Sequence, residues 1–324
     1  MLDIIITHYN EPFDVGEKLF QIINLQRCID FDAIRVIVVH DGTEPFPDEY
    51  FSRYKYKVDQ IKIPHGGVSA ARNAGIEAAT GEWLMFCDFD DMFLNVYALR
   101  DYFNVLPTDR FDMIWCRTTH EDYLNGKHIL AFMLEGQNYL FTHGKAYRRQ
   151  FLIDKKIRFD PELTFNEDGH FNAVVIARTP HYRIGELKTR NVPYGWLRRT
   201  GSVTTGHNRE DEANYCQFRR NLKVTAEYEN GDERYAGMVT RTVYDAYFMI
   251  HGSRISKAMK QKILLELIPW ITERYEMFGN VSDDMLPKIV GISRFELIDP
   301  GDEVPDSLED VKRWVQKITG KGDV

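Results

Sequence analysis

Residues 67–93 read GVSAARNAGIEAATGEWLMFCDFDDMF, and this stretch decides the fold class of the chain. The segment Val68–Ala79 is rich in alanine and has apolar residues near helical spacing, which predicts a helix that Gly81 ends. Trp83–Phe86 is an apolar run that is long enough for a buried strand and too short for a helix. A helix that leads directly into a buried strand is typical of α/β proteins with a parallel sheet.

Three carboxylates, Asp88, Asp90 and Asp91, follow the end of that strand. They repel one another, and partial burial makes their charge costly unless a cation or hydrogen-bond donors neutralise it. Oxygen ligands of this kind suit Mg²⁺ or Mn²⁺, which usually bind together with substrate phosphates. The alternative interpretation is that Asp90 or Asp91 only caps a helix that begins near Leu94.

Two upstream apolar runs, Leu2–Thr7 and Ile34–Val39, also end in polar residues. Ligands of open α/β sheets bind outside the carboxyl ends of the strands. We therefore expect one crevice, lined by Thr7, His8, Tyr9, Asp41 and Asp88–Asp91.

Strand and helix patterns alternate over roughly residues 1–116, which indicates a mostly parallel sheet with covering helices. Within this range Asn95–Leu106 is predicted to be a helix. The pattern is mixed from 118 to about 205, where Tyr182–Tyr194 is predicted to be extended. From 208 to 324, helical patterns lie within highly charged sequence, and Asp306 with Glu309 predicts a capping box for the last helix.

The composition of the 324 residues is that of an ordinary globular protein. A net charge of −8 disfavours a broad nucleic-acid-binding face. The four cysteines are scattered without metal-site or disulfide spacing. Apolar runs stay short of the roughly 18 residues of a membrane span. We expect a cytoplasmic protein, or one loosely attached to a membrane surface.

Five motifs occur in a fixed order: THYNEP at 7–12, VVHDGTE at 38–44, the 67–93 stretch, FNEDGHF at 165–171 and YGWLRRTGSVTT at 194–205. In this order they resemble family 2 glycosyltransferases of the GT-A fold, over roughly the first 206 residues. Two positions depart from the family pattern. His40 stands where the family has an aspartate, and His65-Gly66 replaces the family's asparagine.

The resemblance implies a GT-A catalytic domain at 1–207, with a nucleotide-sugar half at about 1–116 and an acceptor half at about 117–207. A helical C-terminal region at 208–324 follows. The implied activity is an inverting, metal-dependent transfer of a sugar from a nucleotide-sugar, with a UDP-sugar favoured, to a hydroxyl of a glycan or cell-surface polymer.

The resemblance also implies residue roles. Asp90 would bind Mn²⁺ or Mg²⁺, with Asp88 reaching the ribose, the sugar or the metal, and His207 could complete the metal shell. Asp168 would be the general base, with Glu167 as the alternative. Further expected contacts with the nucleotide-sugar are Thr7, Tyr9, Glu11, Asp41, Arg72, Arg198, Arg199 and Ser202.

Structural roles remain open for several of these side chains. Tyr9 could be a core ring, Asp41 a turn residue, and Glu11 a partner of the helix dipole. Arg72 could form a structural ion pair, and Asn166 alone could cap the helix that Glu167 and Asp168 begin.

Two other functions compete with the transferase. One is nucleotidyl or phosphoryl transfer at a two-metal site built on DFDD. The other is a non-catalytic sugar-nucleotide-binding module, against which the presence of both acidic motifs argues. The helical region could form a homo-oligomer, hold a polymeric acceptor or touch a membrane, although its acids make anionic membranes a poor partner.

Overall fold

The computed structural model describes residues 1–124, 127–132, 141–188, 193–196, 210–229, 234–252, 255–279 and 308–321. The chain divides into two compact units, Met1–Gly206 and His207–Val324. Each unit is described separately below.

The first unit contains two sheets and five α-helices within its described residues. The strands are β1 Leu2–His8, β2 Ile34–Asp41, β3 Lys57–Ile63, β4 Trp83–Asp88, β5 Met92–Phe93, β6 Met113–Trp115, β7 Thr118–Leu124, β8 Lys127–Phe132, β9 Lys145–Arg148, β10 Ile184–Glu186 and β11 Tyr194–Trp196. The helices are α1 Phe13–Asn24, α2 Gly67–Ala78, α3 Ala98–Phe103, α4 Arg149–Asp154 and α5 Glu167–Arg178. Short 3-10 helices lie at Phe31–Ala33, Asp48–Tyr50, Leu106–Thr108 and His181–Arg183.

The main sheet has seven strands in the order β10-β6-β9-β4-β1-β2-β3. Neighbouring strands are parallel except at β9, which runs antiparallel to both β4 and β6. The register sets Thr7 beside Asp88 and His8 beside His40. The carboxyl ends of β1, β2 and β4 therefore meet at one edge, as the sequence predicts. A smaller sheet has the order β5-β11-β7-β8.

Helices cover both faces of the main sheet because successive side chains of a buried strand point to opposite sides. Ile4 and Ile6 of β1 pack in one core with Leu19 and Phe20 of α1. Ile5 packs on the other side, in a core with residues of α2. This arrangement confirms the predicted α/β class with covering helices.

Gly81 has a different role from the one predicted. Helix α2 ends at Ala78, and Gly81 does not take a left-handed conformation. Instead its N–H donates to Oδ2 of buried Asp3 at 2.8 Å, and a Cβ at Gly81 would lie 2.9 Å from that carboxyl group. Glycine is needed here for close approach to Asp3.

Two other predicted elements are shorter than expected. Asn95 accepts a hydrogen bond from the N–H of Tyr97, which forms a turn, so the helix predicted over 95–106 begins only at Ala98. The extended segment predicted over 182–194 contains β10 and the first residue of β11, and residues 189–192 lie outside the described part.

The second unit is helical, as predicted. Its described helices are α6 Glu210–Ala226, α7 Tyr235–His251, α8 Lys257–Glu273, α9 Tyr275–Gly279 and α10 Leu308–Thr319. A separate apolar core joins all five helices through residues such as Phe218, Val243, Leu267 and Val315. The predicted capping residue Asp306 lies outside the described residues. No helix among the described residues is both long and apolar enough to cross a membrane.

Candidate active site

Arg72 joins the end of β4 to the start of α5. From its position on α2, the guanidinium donates to Oδ1 of Asp88 at 2.9 Å and to Oε1 of Glu167 at 2.7 Å. The Arg72 side chain is buried, whereas that of Asp88 is 39% exposed. Burial alone would lower the pKa of Arg72, but the negative charges of Asp88, Glu167 and Asp168 raise it. Arg72 is therefore a permanent cation among the acids of the crevice.

Local contacts fix both Arg72 and α5. Asn73, the next residue on α2, exchanges two hydrogen bonds with the backbone of Phe159. The Phe159 ring lies 5.2 Å from the Arg72 guanidinium and stacks on Phe171 of α5 with ring centroids 4.0 Å apart. The same aromatic pair thus positions the cation and the helix that carries its acidic partner.

Asp168 has the electrostatic character of a base near neutral pH. Its Oδ1 accepts a hydrogen bond from the N–H of Gly169 at 2.7 Å. Burial, with the adjacent charge of Glu167, raises the pKa of Asp168 to about 7, although Arg72 lowers it in part. Asp168 as a whole residue remains partly exposed. The carboxylate is thus placed to accept a proton.

Asn166 stands at the N-cap position of α5 but does not cap the helix with its side chain. Asn166 takes a left-handed conformation, and its side chain makes no capping hydrogen bond. The acids Glu167 and Asp168 occupy the first turn, where the helix dipole favours negative charge.

Asp91 does not cap a helix either. No helix begins near Leu94, because residues 92–93 form β5 and α3 starts later. Asp91 is fully buried and accepts a hydrogen bond from the Tyr194 hydroxyl at 3.0 Å. Tyr194 belongs to β11, which pairs with β5. The acid therefore ties the segment after β4 to the smaller sheet.

Asp88 and Asp90 fit a divalent cation by the chemistry of their oxygen donors. The Asp88 carboxylate is accessible to solvent even though Arg72 holds one of its oxygens. Within the part of the chain that the structure describes, no three His, Cys, Asp or Glu side chains are grouped closely enough to hold a metal. Further ligands would come from substrate phosphates or from residues such as His207, which lies outside the described ranges.

Asp41, His65 and Tyr9 form a second cluster at the tips of β1 and β2. The Asp41 carboxylate accepts from the N–H groups of Gly66 and Gly67, at 2.7 and 2.9 Å, and lies 2.9 Å from Nδ1 of His65. The His65 ring stacks on Tyr9 with centroids 4.6 Å apart. Because both rings are exposed, they offer a flat aromatic surface to a ligand, so Tyr9 is not a core residue.

The other predicted contacts are placed as follows. Thr7 lies at the tip of β1, next to Asp88 across the sheet. Glu11 accepts from the N–H of Tyr9 at 2.8 Å, which holds it in the turn after β1. Arg198, Arg199 and Ser202 lie outside the described residues.

Sequence reasoning missed three side chains near these clusters: His65, Tyr194 and Lys145. His65 was visible only as a departure from the family pattern. Lys145 on β9 is 1% exposed, and burial lowers its pKa to about 8 while Cys116 and Asp168 oppose that shift. Only the sheet order places it near Asp168, so no local sequence signal could have revealed it.

Comparisons with known proteins identify related sequences and structures. Residues 3–162 match the family model described as glycosyl transferase family 2. A putative glycosyltransferase, EpsH of Bacillus subtilis strain 168, is 29% identical over 186 residues, which cover 47% of this chain and 53% of EpsH. The poly(ribitol-phosphate) β-N-acetylglucosaminyltransferase TarS of Staphylococcus aureus strain Mu50 is 26% identical over 185 residues, which cover 52% of this chain and 31% of TarS. The chain thus spans only about half or less of these relatives.

Solved structures show the same fold. A crystal structure of S. aureus TarS residues 1–349 in complex with UDP-GlcNAc matches with a TM-score of 0.68 at 19% identity, over 99% of this chain and 92% of that one. A mannosyltransferase of Pyrobaculum calidifontis, PcManGT, in complex with GDP-Man and Mn²⁺, matches with a TM-score of 0.51 at 13% identity, over 98% of this chain and 84% of that one. Residues 3–162 therefore belong to glycosyl transferase family 2, and the chain has the GT-A fold with a helical C-terminal region.

Proposed function

We propose that the chain is an inverting glycosyltransferase that moves a hexosyl or N-acetylhexosaminyl group from a nucleotide-sugar to an acceptor hydroxyl. One observation carries this proposal. Arg72 holds Asp88, from the strand end that would face the donor, against Glu167, the neighbour of the base candidate Asp168. The proposed donor-side and acceptor-side acids are therefore held by one buried arginine.

Asp168 is the proposed general base. As the acceptor oxygen forms its bond to the anomeric carbon, Asp168 takes the hydroxyl proton, and the bond to the nucleoside diphosphate breaks on the opposite face of the sugar. A base works best when its pKa lies near the operating pH, and the pKa of Asp168 is raised to about 7. Glu167 is the weaker candidate, because its carboxylate already accepts from Arg72.

Mn²⁺ or Mg²⁺ is the proposed cofactor. Asp90 and Asp88 would hold it, with His207 as a further ligand. When bound, the ion would neutralise charge on the diphosphate. The Mn²⁺ in the PcManGT structure supports a metal in this fold.

The nucleotide would lie over Thr7, Tyr9, Glu11 and Asp41. The exposed stack of Tyr9 on His65 offers a surface for a base ring. Arg198, Arg199 and Ser202 are proposed to contact the diphosphate from their loop. The TarS complex with UDP-GlcNAc supports a UDP-sugar as donor.

A polymer or glycan is the proposed acceptor, supported by the poly(ribitol-phosphate) acceptor in the name of TarS. Residues 1–207 would be the catalytic domain, with its nucleotide-sugar half at about 1–116 and its acceptor half at about 117–207. Residues 208–324 would hold the acceptor or a second copy of the chain. We place the enzyme in the cytoplasm, where it could also bind at a membrane surface.

Calorimetry with UDP, GDP, CDP and TDP, each with Mn²⁺, Mg²⁺ or chelator, tests the donor site. We expect metal-dependent binding of UDP to the wild type and to Glu186→Ala, an exposed-acid control. Asp90→Ala should lose the metal dependence. Unchanged metal-dependent UDP affinity in Asp90→Ala would remove that residue from the metal site, and no nucleotide binding by the folded wild type would refute the proposed function.

Asp168→Asn tests the base. The variant should bind UDP like the wild type but lose roughly 10²–10⁴-fold in turnover, the range typical of a general base. Glu167→Gln serves as the comparison, with a smaller loss. Full turnover by Asp168→Asn would move the base elsewhere.

A further inference from the structure

His8 and His40 form a buried pair at the tips of β1 and β2. The two residues are 3% and 0% exposed. They are neighbours in the parallel register, and their Nδ1 atoms lie 2.9 Å apart. The rings of Phe46 and Phe89 pack against them. A contact of this length between two ring nitrogens requires one proton between them.

The outer nitrogens of the pair both face acceptors. Nε2 of His8 lies 2.7 Å from the backbone carbonyl oxygen of Glu11, which can only accept. Nε2 of His40 lies 2.9 Å from Oε1 of Gln60. The Gln60 amide cannot be reversed, since its Oε1 accepts from the N–H of Phe46 and its Nε2 donates to the Phe46 carbonyl. Each outer histidine nitrogen must therefore carry a proton.

Three contacts thus need three protons, whereas two neutral imidazoles supply only two. We propose that His8 and His40 share one extra proton, which closes the turn from Tyr9 to Glu11. The pair then carries a single positive charge, and all three contacts are hydrogen bonds. Without that proton, one contact brings two acceptors together.

The charges around the pair favour one extra proton on the two rings and disfavour a second extra proton. The Glu11 carboxylate lies 3.9 Å from Nε2 of His8, and Glu44, which pairs with Lys62, also favours a positive His40. Burial lowers the pKa of His8 and so opposes even the shared proton, whereas the contact with the Glu11 backbone and the Glu11 charge raise that pKa. For His40, burial and the charge of a protonated His8 lower the pKa to about 4. A second extra proton therefore binds to the pair only in acid.

The shared proton would affect the turn from Tyr9 to Glu11, which lies where the nucleotide is proposed to bind. The His8 contact holds the Glu11 backbone, and the Glu11 side chain holds the N–H of Tyr9. Asn10, between them, is in the left-handed conformation, which asparagine adopts more readily than most non-glycine residues. Loss of the proton would release this turn. The consequence for nucleotide affinity rests on the proposed function, whereas the proton count does not.

The proton count can be measured on the full chain without nucleotide. Nitrogen NMR of ¹⁵N-histidine-labelled protein, followed from pH 8 to acid, reports which ring nitrogens carry protons. Spectra of His8→Asn and His40→Asn assign the signals, and exposed His65 is the internal control. We expect one shared uptake step that gives three protonated nitrogens in the pair. The proposal would be overturned if only two of the four ring nitrogens carried protons at every pH. It would also be overturned if each ring took up its own proton in a separate step, so that all four nitrogens became protonated.

Gln60→Met removes the acceptor that requires the third proton, so the pair should bind that proton about tenfold more weakly. If the variant does not fold, the wild-type spectra decide.

UDP affinity is then measured against pH in His65→Gln, so that His65 does not contribute. We expect a fall of about three- to tenfold as the pair loses its proton. A flat profile would overturn the link to the turn, and no UDP binding at any pH would count against the proposed function alone.

Discussion

Arg72 is the residue on which the charges of the crevice depend. It is buried between Asp88 and Glu167, and each of these acids also lies near other negative groups. An ion pair of this kind is costly to break from one side, because the remaining charges stay in a poorly solvated place. A phosphate of the donor would find Arg72 already engaged, so the arginine would act on the donor through Asp88.

Arg72→Met should therefore lower the free energy of unfolding by about 3–5 kcal/mol. The control is Arg53→Met, which removes an ion pair with Glu17 in which the arginine is 52% exposed. Its loss should be much smaller, because exposed ion pairs add little stability. Urea unfolding of both variants measures the difference. Equal losses would mean that the buried network adds no stability beyond that of a surface pair.

Asp168 should make stability fall as the pH rises. The pKa of Asp168 is raised to about 7 from an ordinary value of 3.8, so between these values the folded chain binds more protons than the unfolded chain. The stability that protonated Asp168 contributes is fully present below its unfolded pKa of 3.8 and is lost as the pH rises through its folded pKa of about 7. Asp168→Asn, which cannot ionise, should be more stable than the wild type at pH 8 by about 1–3 kcal/mol.

The measurement is the difference between wild type and Asp168→Asn in urea unfolding at several pH values. The advantage of the variant should shrink as the pH falls from 8 towards 4. A stability difference that does not depend on pH would show that Asp168 has the same pKa in the folded and the unfolded chain.

At the scale of elements, one close contact sets the position of α2 on the sheet. A Cβ at Gly75 would lie 2.3 Å from Cγ2 of Ile5 on β1, nearer than side chains can approach. Gly75→Ala should improve helix propensity by up to about 1 kcal/mol but overpack this contact, with a net loss of about 1–3 kcal/mol. Since α2 carries Arg72, any shift of the helix also moves the cation.

A double-mutant cycle with Ile5→Ala tests this explanation by urea unfolding. Ile5→Ala alone leaves a cavity and costs about 2–5 kcal/mol. In that background, Gly75→Ala should become neutral or stabilising, because the opposing methyl group is gone. The same loss in both backgrounds would assign the effect to something other than the contact with Ile5.

The elements that the sequence predicts well are those with one dominant pattern. The apolar runs of β1, β2 and β4 and the alanine-rich α2 need only local residues to define them, so they are found within one or two residues of the prediction. Local patterns do not reveal the roles of Asp91 and Gly81, because their partners, Tyr194 and Asp3, are distant in sequence. The polar contacts of the crevice exist only once the sheet order brings these segments together.

At the scale of the whole molecule, the family model and the described candidate residues lie within the first unit. The helical unit has its own apolar core. Leu267 is fully buried in that core, whereas Leu265, on the same helix, is 73% exposed. This pair of leucines allows the stability of the helical unit to be changed with a control of the same chemistry.

Leu267→Ala should cost about 2–5 kcal/mol in stability, whereas Leu265→Ala should stay within about 0.5 kcal/mol of the wild type. Thermal unfolding measures the first effect, and calorimetry with UDP and Mn²⁺ measures binding to the folded variants. Both should bind UDP like the wild type, since the proposed nucleotide-binding residues that the structure describes belong to the first unit. A different outcome is that Leu267→Ala is folded at the assay temperature but binds UDP more weakly than the wild type. In that case donor binding depends on the core of the helical unit, and the two units divided at residue 207 do not function independently.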